Sequence, residues 1–170
     1  LGERTSGVTV AGALDAAVDA SLIVVAEQVG NADNMGALFR NARAFGAGCV
    51  VLSPQCCDPL YRKAIRVSMG ASLRLPFAEI VDWPAGLKAI KDAGYAIVAL
   101  TPELSADELT TFAARRLARI ALLLGHEGLG LSPGALAHAD AHVRVAMTPG
   151  VDSVNVATAA AIGMYVCTQP

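Results

Sequence analysis

Ile120-Ala-Leu-Leu-Leu-Gly125-His126-Glu127-Gly128-Leu-Gly130-Leu-Ser132-Pro133-Gly134 decides the fold. Five apolar residues make a buried strand that stops abruptly at Gly125. Four glycines then follow in ten residues. Ser132 offers an N-cap side chain and Pro133 suits a first helical position, so a short helix is predicted over Pro133–His138. In open α/β sheets, ligands bind at the carboxyl ends of strands, where such loops lie. Glu127 matters most, because an acid inside a glycine turn adds little packing. His126 carries less weight, since a lone loop histidine is usually solvated.

Outward from this loop, apolar runs alternate with helical periodicity. Strands are predicted at Leu22–Ala26, Cys49–Leu52, Tyr95–Leu100 and His142–Val145, and an extended stretch at Leu73–Ile80. Helices are predicted over Asn31–Gly46, Asp58–Ser68, Pro84–Ala93 and, capped by Ser153, Val154–Thr168. Ser105–Arg119 is polar and partly helical. The alternation predicts an α/β fold, a mostly parallel sheet with helices on both faces. Residues 1–20 read as a linker and lead-in, and residues 21–170 as one domain.

Composition narrows the class. Of 170 residues, 54% are hydrophobic and 16% charged, which excludes a disordered chain. No apolar run is long enough to span a membrane. The formal charge of −2 gives no global basic field, so any nucleic-acid contact must use local patches. Cys49, Cys56, Cys57 and Cys167 lack metal or redox spacing and read as free thiols of a reducing, cytoplasmic setting. His126, His138 and His142 form no ligand pair, so no metal is expected. The last helix is apolar nearly all round, more than one sheet face can bury, and this predicts a homodimer contact.

Two further segments break the core pattern. In Asn31-Ala-Asp-Asn34-Met-Gly36-Ala-Leu-Phe-Arg40, Gly36, Arg40 and Arg43 share one helix face. An arginine one turn into a helix suits a phosphate, while the plain alternative is a packing glycine and a solvated arginine. In Met147-Thr-Pro-Gly150-Val-Asp152-Ser153-Val154-Asn155-Val156, Asn155 is a poor helix residue opening an apolar helix. Its amide must hydrogen-bond a loop or a ligand. Neither the dinucleotide fingerprint nor the phosphate loop with its lysine is present.

Together the segments resemble the SpoU/TrmH family of the SPOUT class, over about residues 21–168. The first motif is matched by Asn31, Asn34, Gly36, Arg40 and Gly46. The second is matched by Leu124, Gly125, Glu127, Gly128 and Gly130, and the third by Met147, Asp152, Ser153, Asn155 and Val156. Ala146 stands where the pattern has proline, and Val154 where it has leucine.

The resemblance implies an RNA ribose 2′-O-methyltransferase using S-adenosyl-L-methionine, with a C-terminal trefoil knot and a homodimer. It implies Arg40, Asn34, Glu127, Ser153 and Asn155 as catalytic residues. Thr101, Gly125, Val145, Met147 and Val154 would contact the cofactor. A guanidinium is a poor base, so Arg40 is expected to bind phosphate and polarise the hydroxyl. Arg40, Arg43, Arg62, Lys63, Arg66 and Arg74 form a candidate RNA patch. Two-domain relatives carry a small N-terminal RNA-binding domain, and Ser6–Val10 resembles the linker after one. That favours ribosomal over transfer RNA. The alternatives are a non-catalytic RNA-binding or dimerisation scaffold, and a base-methylating SPOUT enzyme.

Overall fold

The computed structural model describes residues 8–148, 150–151 and 153–169. Seven strands, β1 (Leu22–Ala26), β2 (Val50–Leu52), β3 (Phe77–Glu79), β4 (Ala96–Leu100), β5 (Asp107–Glu108), β6 (Ile120–Leu124) and β7 (Ala141–Arg144), form one sheet. Their order is β3-β2-β1-β6-β4-β7-β5 and every pairing is parallel. Strands buried on both faces read as continuous apolar runs. β1 and β6 show this, since each of their residues is buried.

The pleat divides each strand between two cores. Leu22, Val24 and Ala26 face one apolar cluster, while Ile23 and Val25 face the other. The first core is covered by α2 (Ala32–Ala44), α5 (Leu109–Ala113) and α7 (Val156–Thr168). The second is covered by α1 (Val10–Ala16), α4 (Lys88–Asp92) and α6 (Pro133–His138). Helices therefore cover both faces, as the alternation predicts. A further helix, α3 (Arg62–Val67), packs on α2.

Several details differ from the sequence expectation. Residues 8–20 read as a lead-in, yet they hold α1, capped by Thr9, with Ala13, Leu14 and Ala17 buried. The Tyr95 hydroxyl meets the Ala17 and Ala20 carbonyls at 2.9 Å each and fixes this segment to the sheet. Residues 1–7 and Asp152 lie outside the described residues. The helix expected over Asp58–Ser68 is confined to Arg62–Val67, and the stretch from Leu73 opens in a three-ten turn before β3. Ser153 does not cap the last helix. Asn155 does, its Oδ1 accepting from Ala157 N at 2.9 Å and Thr158 N at 3.3 Å.

Gly36 also resolves to the packing alternative. A Cβ there would stand 2.6 Å from Val67 Cβ and 2.7 Å from the Ala64 carbonyl oxygen, so its bare face admits α3 rather than a ligand. Gly163 acts likewise, letting α7 settle against Leu122 of β6. All four cysteines are free thiols, and burial raises Cys49 and Cys167 to about 11. Among the described residues, no helix is long and apolar enough to cross a membrane.

Candidate active site

Strand order creates the site. β6, β4 and β7 are neighbours and parallel, so the loops leaving their carboxyl ends stand side by side. Thr101 follows β4, Gly125 follows β6, and Val145 follows β7. Together with the segment entering α7 they surround an open cavity of about 150 Å³. Thr101, Gly125, Val145, Met147 and Val154 all line it. Glu127 and Ser153 line it too, while Asn34, Asn155 and Arg40 do not.

The glycine loop is built by close approach. A Cβ on Gly125 would fall 2.4 Å from the Gly130 carbonyl carbon and 2.5 Å from Leu131 N. Only glycine lets the loop fold back at that distance. Its far end is anchored by Glu27, a buried carboxylate just past β1. Ser132 donates from N at 2.8 Å and from Oγ at 2.6 Å to Glu27, and Trp83 Nε1 donates to it at 2.6 Å. A buried carboxylate needs such donors, and three are supplied. Sequence reasoning missed Glu27, because its partners lie 56 and 105 residues away.

Three of the expected polar residues join in one chain of hydrogen bonds. Asn155 Nδ2 donates to Asn34 Oδ1 at 2.8 Å, and Asn34 Nδ2 donates to Glu127 Oε1 at 2.7 Å. The direction of this chain is fixed by the helix. The first amides of α7 point at Asn155, so its oxygen must face them. Its nitrogen then faces Asn34, whose oxygen must accept. The Asn34 nitrogen is left to donate to Glu127, whose carboxyl oxygen accepts. Asn41 adds a second tie, donating from Nδ2 to the Ala157 carbonyl at 3.0 Å. The sequence expectation that Asn155 bonds a loop or ligand resolves to a cap joined to α2.

Other residues stand apart from this chain. Arg40 and Ser153 are exposed, and among the described residues neither has a side-chain hydrogen bond or ion pair. Of the remaining basic residues, Arg43, Arg62, Arg66 and Arg74 are exposed, and Lys63 pairs with Asp33 at 2.6 Å. Chemically, the arrangement is an apolar and backbone-lined cavity beside a fixed carboxylate, with uncommitted cations on the α2–α3 side. That suits a neutral ring in the cavity and a phosphate outside it.

The SpoU rRNA Methylase family model matches residues 21–165. An uncharacterized tRNA/rRNA methyltransferase of Mycobacterium tuberculosis is 45% identical, over 88% of this chain and 52% of that protein. The 23S rRNA (guanosine-2′-O-)-methyltransferase of Xylella fastidiosa is 29% identical, over 89% of this chain and 60% of that protein. The chain thus spans about half to three-fifths of the length of these two relatives. Among solved structures, an AdoMet-bound rRNA methyltransferase from Sinorhizobium meliloti superposes with a TM-score of 0.79 at 26% identity. That match covers 87% of this chain and 56% of the other. An RNA 2′-O ribose methyltransferase structure gives 0.76 at 31% identity, covering 86% and 55%.

Proposed function

The chain belongs to the SpoU rRNA methylase family, and from that premise we propose that it carries the catalytic domain of an S-adenosyl-L-methionine-dependent RNA methyltransferase acting on a ribose 2′-hydroxyl. The observation that carries this reading is the cavity at the ends of β4, β6 and β7, with the Glu127–Asn34–Asn155 chain at its edge. Ribosomal RNA is the favoured substrate, in keeping with the description of the family and of the S. meliloti neighbour.

The residues present fit the cofactor. Ligand sites are mostly apolar with a few placed polar groups, and the lining of this cavity has that character. Leu100, Val145 and Val154 offer apolar walls, and Gly125, Gly128 and Gly130 expose backbone groups without side chains between. Thr101, Gly125, Val145, Met147 and Val154 would hold S-adenosyl-L-methionine. When bound, it supplies a methyl carbon already made electrophilic by the sulfonium, so alignment is the main demand on the protein.

The chain's own residues meet that demand by position. A guanidinium is a poor base, so Arg40 clamps the target phosphate and polarises the hydroxyl instead of removing its proton. Glu127 Oε2 takes no hydrogen bond from a described residue and is available to orient a ribose hydroxyl. Asn34 and Asn155 hold Glu127 in place, and Ser153 lines the cavity. The trefoil threading of the loops around the cavity and a homodimer through α7 belong to the same proposal.

Calorimetry with S-adenosyl-L-methionine, and S-adenosylhomocysteine for comparison, is the first test. Micromolar binding at one site per subunit is expected. A folded chain that binds neither would overturn the reading and leave the scaffold. With ribosomal RNA as acceptor, the methylated product should resist alkaline cleavage at the modified nucleotide. A base methyl group would leave that bond cleavable.

A further inference from the structure

The glycine loop after β6 is closed by one side chain. His126 Nδ1 accepts from Gly128 N at 2.8 Å and from Leu129 N at 3.1 Å. The main chain of His126 also pairs with Gly130, N to O at 3.1 Å and O to N at 3.0 Å. The amides of Gly128, Leu129 and Gly130 therefore all end on one residue. Two donors at Nδ1 require an unprotonated nitrogen there, which places the ring proton on Nε2. Glycine-rich backbone loses more freedom on ordering than any other, so a loop of this composition gains order from such an anchor. Glu127 lies inside the closed turn, with its carboxylate on Asn34.

We propose that His126 is a positioning residue for the reaction: the acceptor at its Nδ1 fixes residues 126–130, and through them the Glu127 carboxylate and the glycine wall of the cavity. The cofactor consequence rests on the methyltransferase reading above. The ring itself is not required, only an acceptor two bonds from Cβ. Asparagine places Oδ1 at that same distance and forms the same turn. Glutamine places its oxygen one bond too far.

The experiment compares wild type, His126→Ala, His126→Asn and His126→Gln. It reads amide hydrogen exchange at Gly128 and Leu129, and calorimetric affinity for S-adenosyl-L-methionine. Circular dichroism checks that each variant is folded. His126→Ala and His126→Gln should speed exchange at both amides and weaken affinity by about tenfold, the order expected for two lost backbone hydrogen bonds. His126→Asn should stay within about threefold of wild type on both readouts. If alanine unfolds the chain, the asparagine and glutamine pair still decides. Wild-type exchange and affinity in His126→Gln, or an asparagine variant as impaired as glutamine, would overturn the proposal. If wild type binds no cofactor, the methyltransferase reading fails, while the exchange readout still judges His126.

Discussion

Asn155 reaches Asn34 across 121 residues of sequence, and it does so with the one end of its amide that the α7 cap leaves over. Capping and site assembly are thus two jobs of one side chain, and they can be separated. Asn155→Asp keeps the oxygen for Ala157 N and Thr158 N and adds favourable charge at a helix N-terminus. It cannot donate to Asn34. The expected outcome is unchanged unfolding free energy with methyl transfer reduced about a hundredfold, within the range for displaced catalytic groups. Asn155→Ala should lose both, including about 1 kcal/mol of stability. Urea denaturation beside an RNA methylation assay reads the split.

Arg40 lies outside the cavity, so its removal should spare cofactor binding. Arg40→Ala is expected to leave calorimetric affinity within about twofold while turnover falls by about two orders of magnitude or more. Arg40→Lys should recover only part of that, because the planar fork is lost. Turnover unchanged in Arg40→Ala would remove Arg40 from the mechanism.

Gly125→Ala should be severe. The added methyl would meet backbone at 2.4 Å, and backbone cannot swing aside as a flexible side chain can. The loop must open, and loss of measurable cofactor binding is expected with a stability cost of about 1–3 kcal/mol. Gly36→Ala should cost a similar amount by prising α3 from α2, yet bind cofactor. Calorimetry and thermal unfolding distinguish the two glycines.

Tyr165 is 53% exposed on α7 and makes an edge contact with Phe45 at 6.1 Å. If α7 forms the proposed homodimer contact, sedimentation equilibrium should find two subunits at micromolar concentration. Tyr165→Glu should shift the population to monomer. A wild-type monomer at that concentration would overturn the dimer.

Among the described residues, an acid-sensitive contact lies just before β7. Burial raises the Asp140 carboxyl, but the Lys91 hydrogen bond, the Ile97 N–H and the Lys91 charge outweigh it and hold the group below its ordinary 3.8. Its stabilising contribution is therefore present above that value and is lost as pH falls through the lowered one. Asp140→Asn should be less stable than wild type at neutral pH, and the gap should close in stronger acid. The carboxylate is 42% exposed, so the gap should stay below about 1 kcal/mol. Urea midpoints at neutral and acid pH check it.

The centre of the fold was legible because β1, β2, β4 and β6 are short, apolar and closely bounded by glycine or cap residues, whereas the edge strand β5, Asp107–Glu108, is polar and exposed and gave no strand signal. The parallel sheet and the three loops follow from that pattern. The parts that escaped depend on distant partners. Ser153 and Asn155 are both good caps, and the choice between them is tied to Asn34, on another helix. Residues 10–16 show weak periodicity, and their helix is held where Tyr95 meets the following Ala17 and Ala20 carbonyls. His126 looks like a solvated residue until its ring is seen turned back onto the loop.

The place of β1 in the sheet also governs how the chain can fold. Leu22–Ala26 pairs on one side with β2, close in sequence, and on the other with β6, whose partner residues begin at Ile120. During synthesis from the amino end, the central strand is made early and completed late. Such non-local pairing makes folding slow. Until Ile120 emerges, β1 carries an open, wholly apolar edge, the kind that recruits other chains. Truncation ahead of β6 should therefore yield aggregates and not a smaller soluble domain.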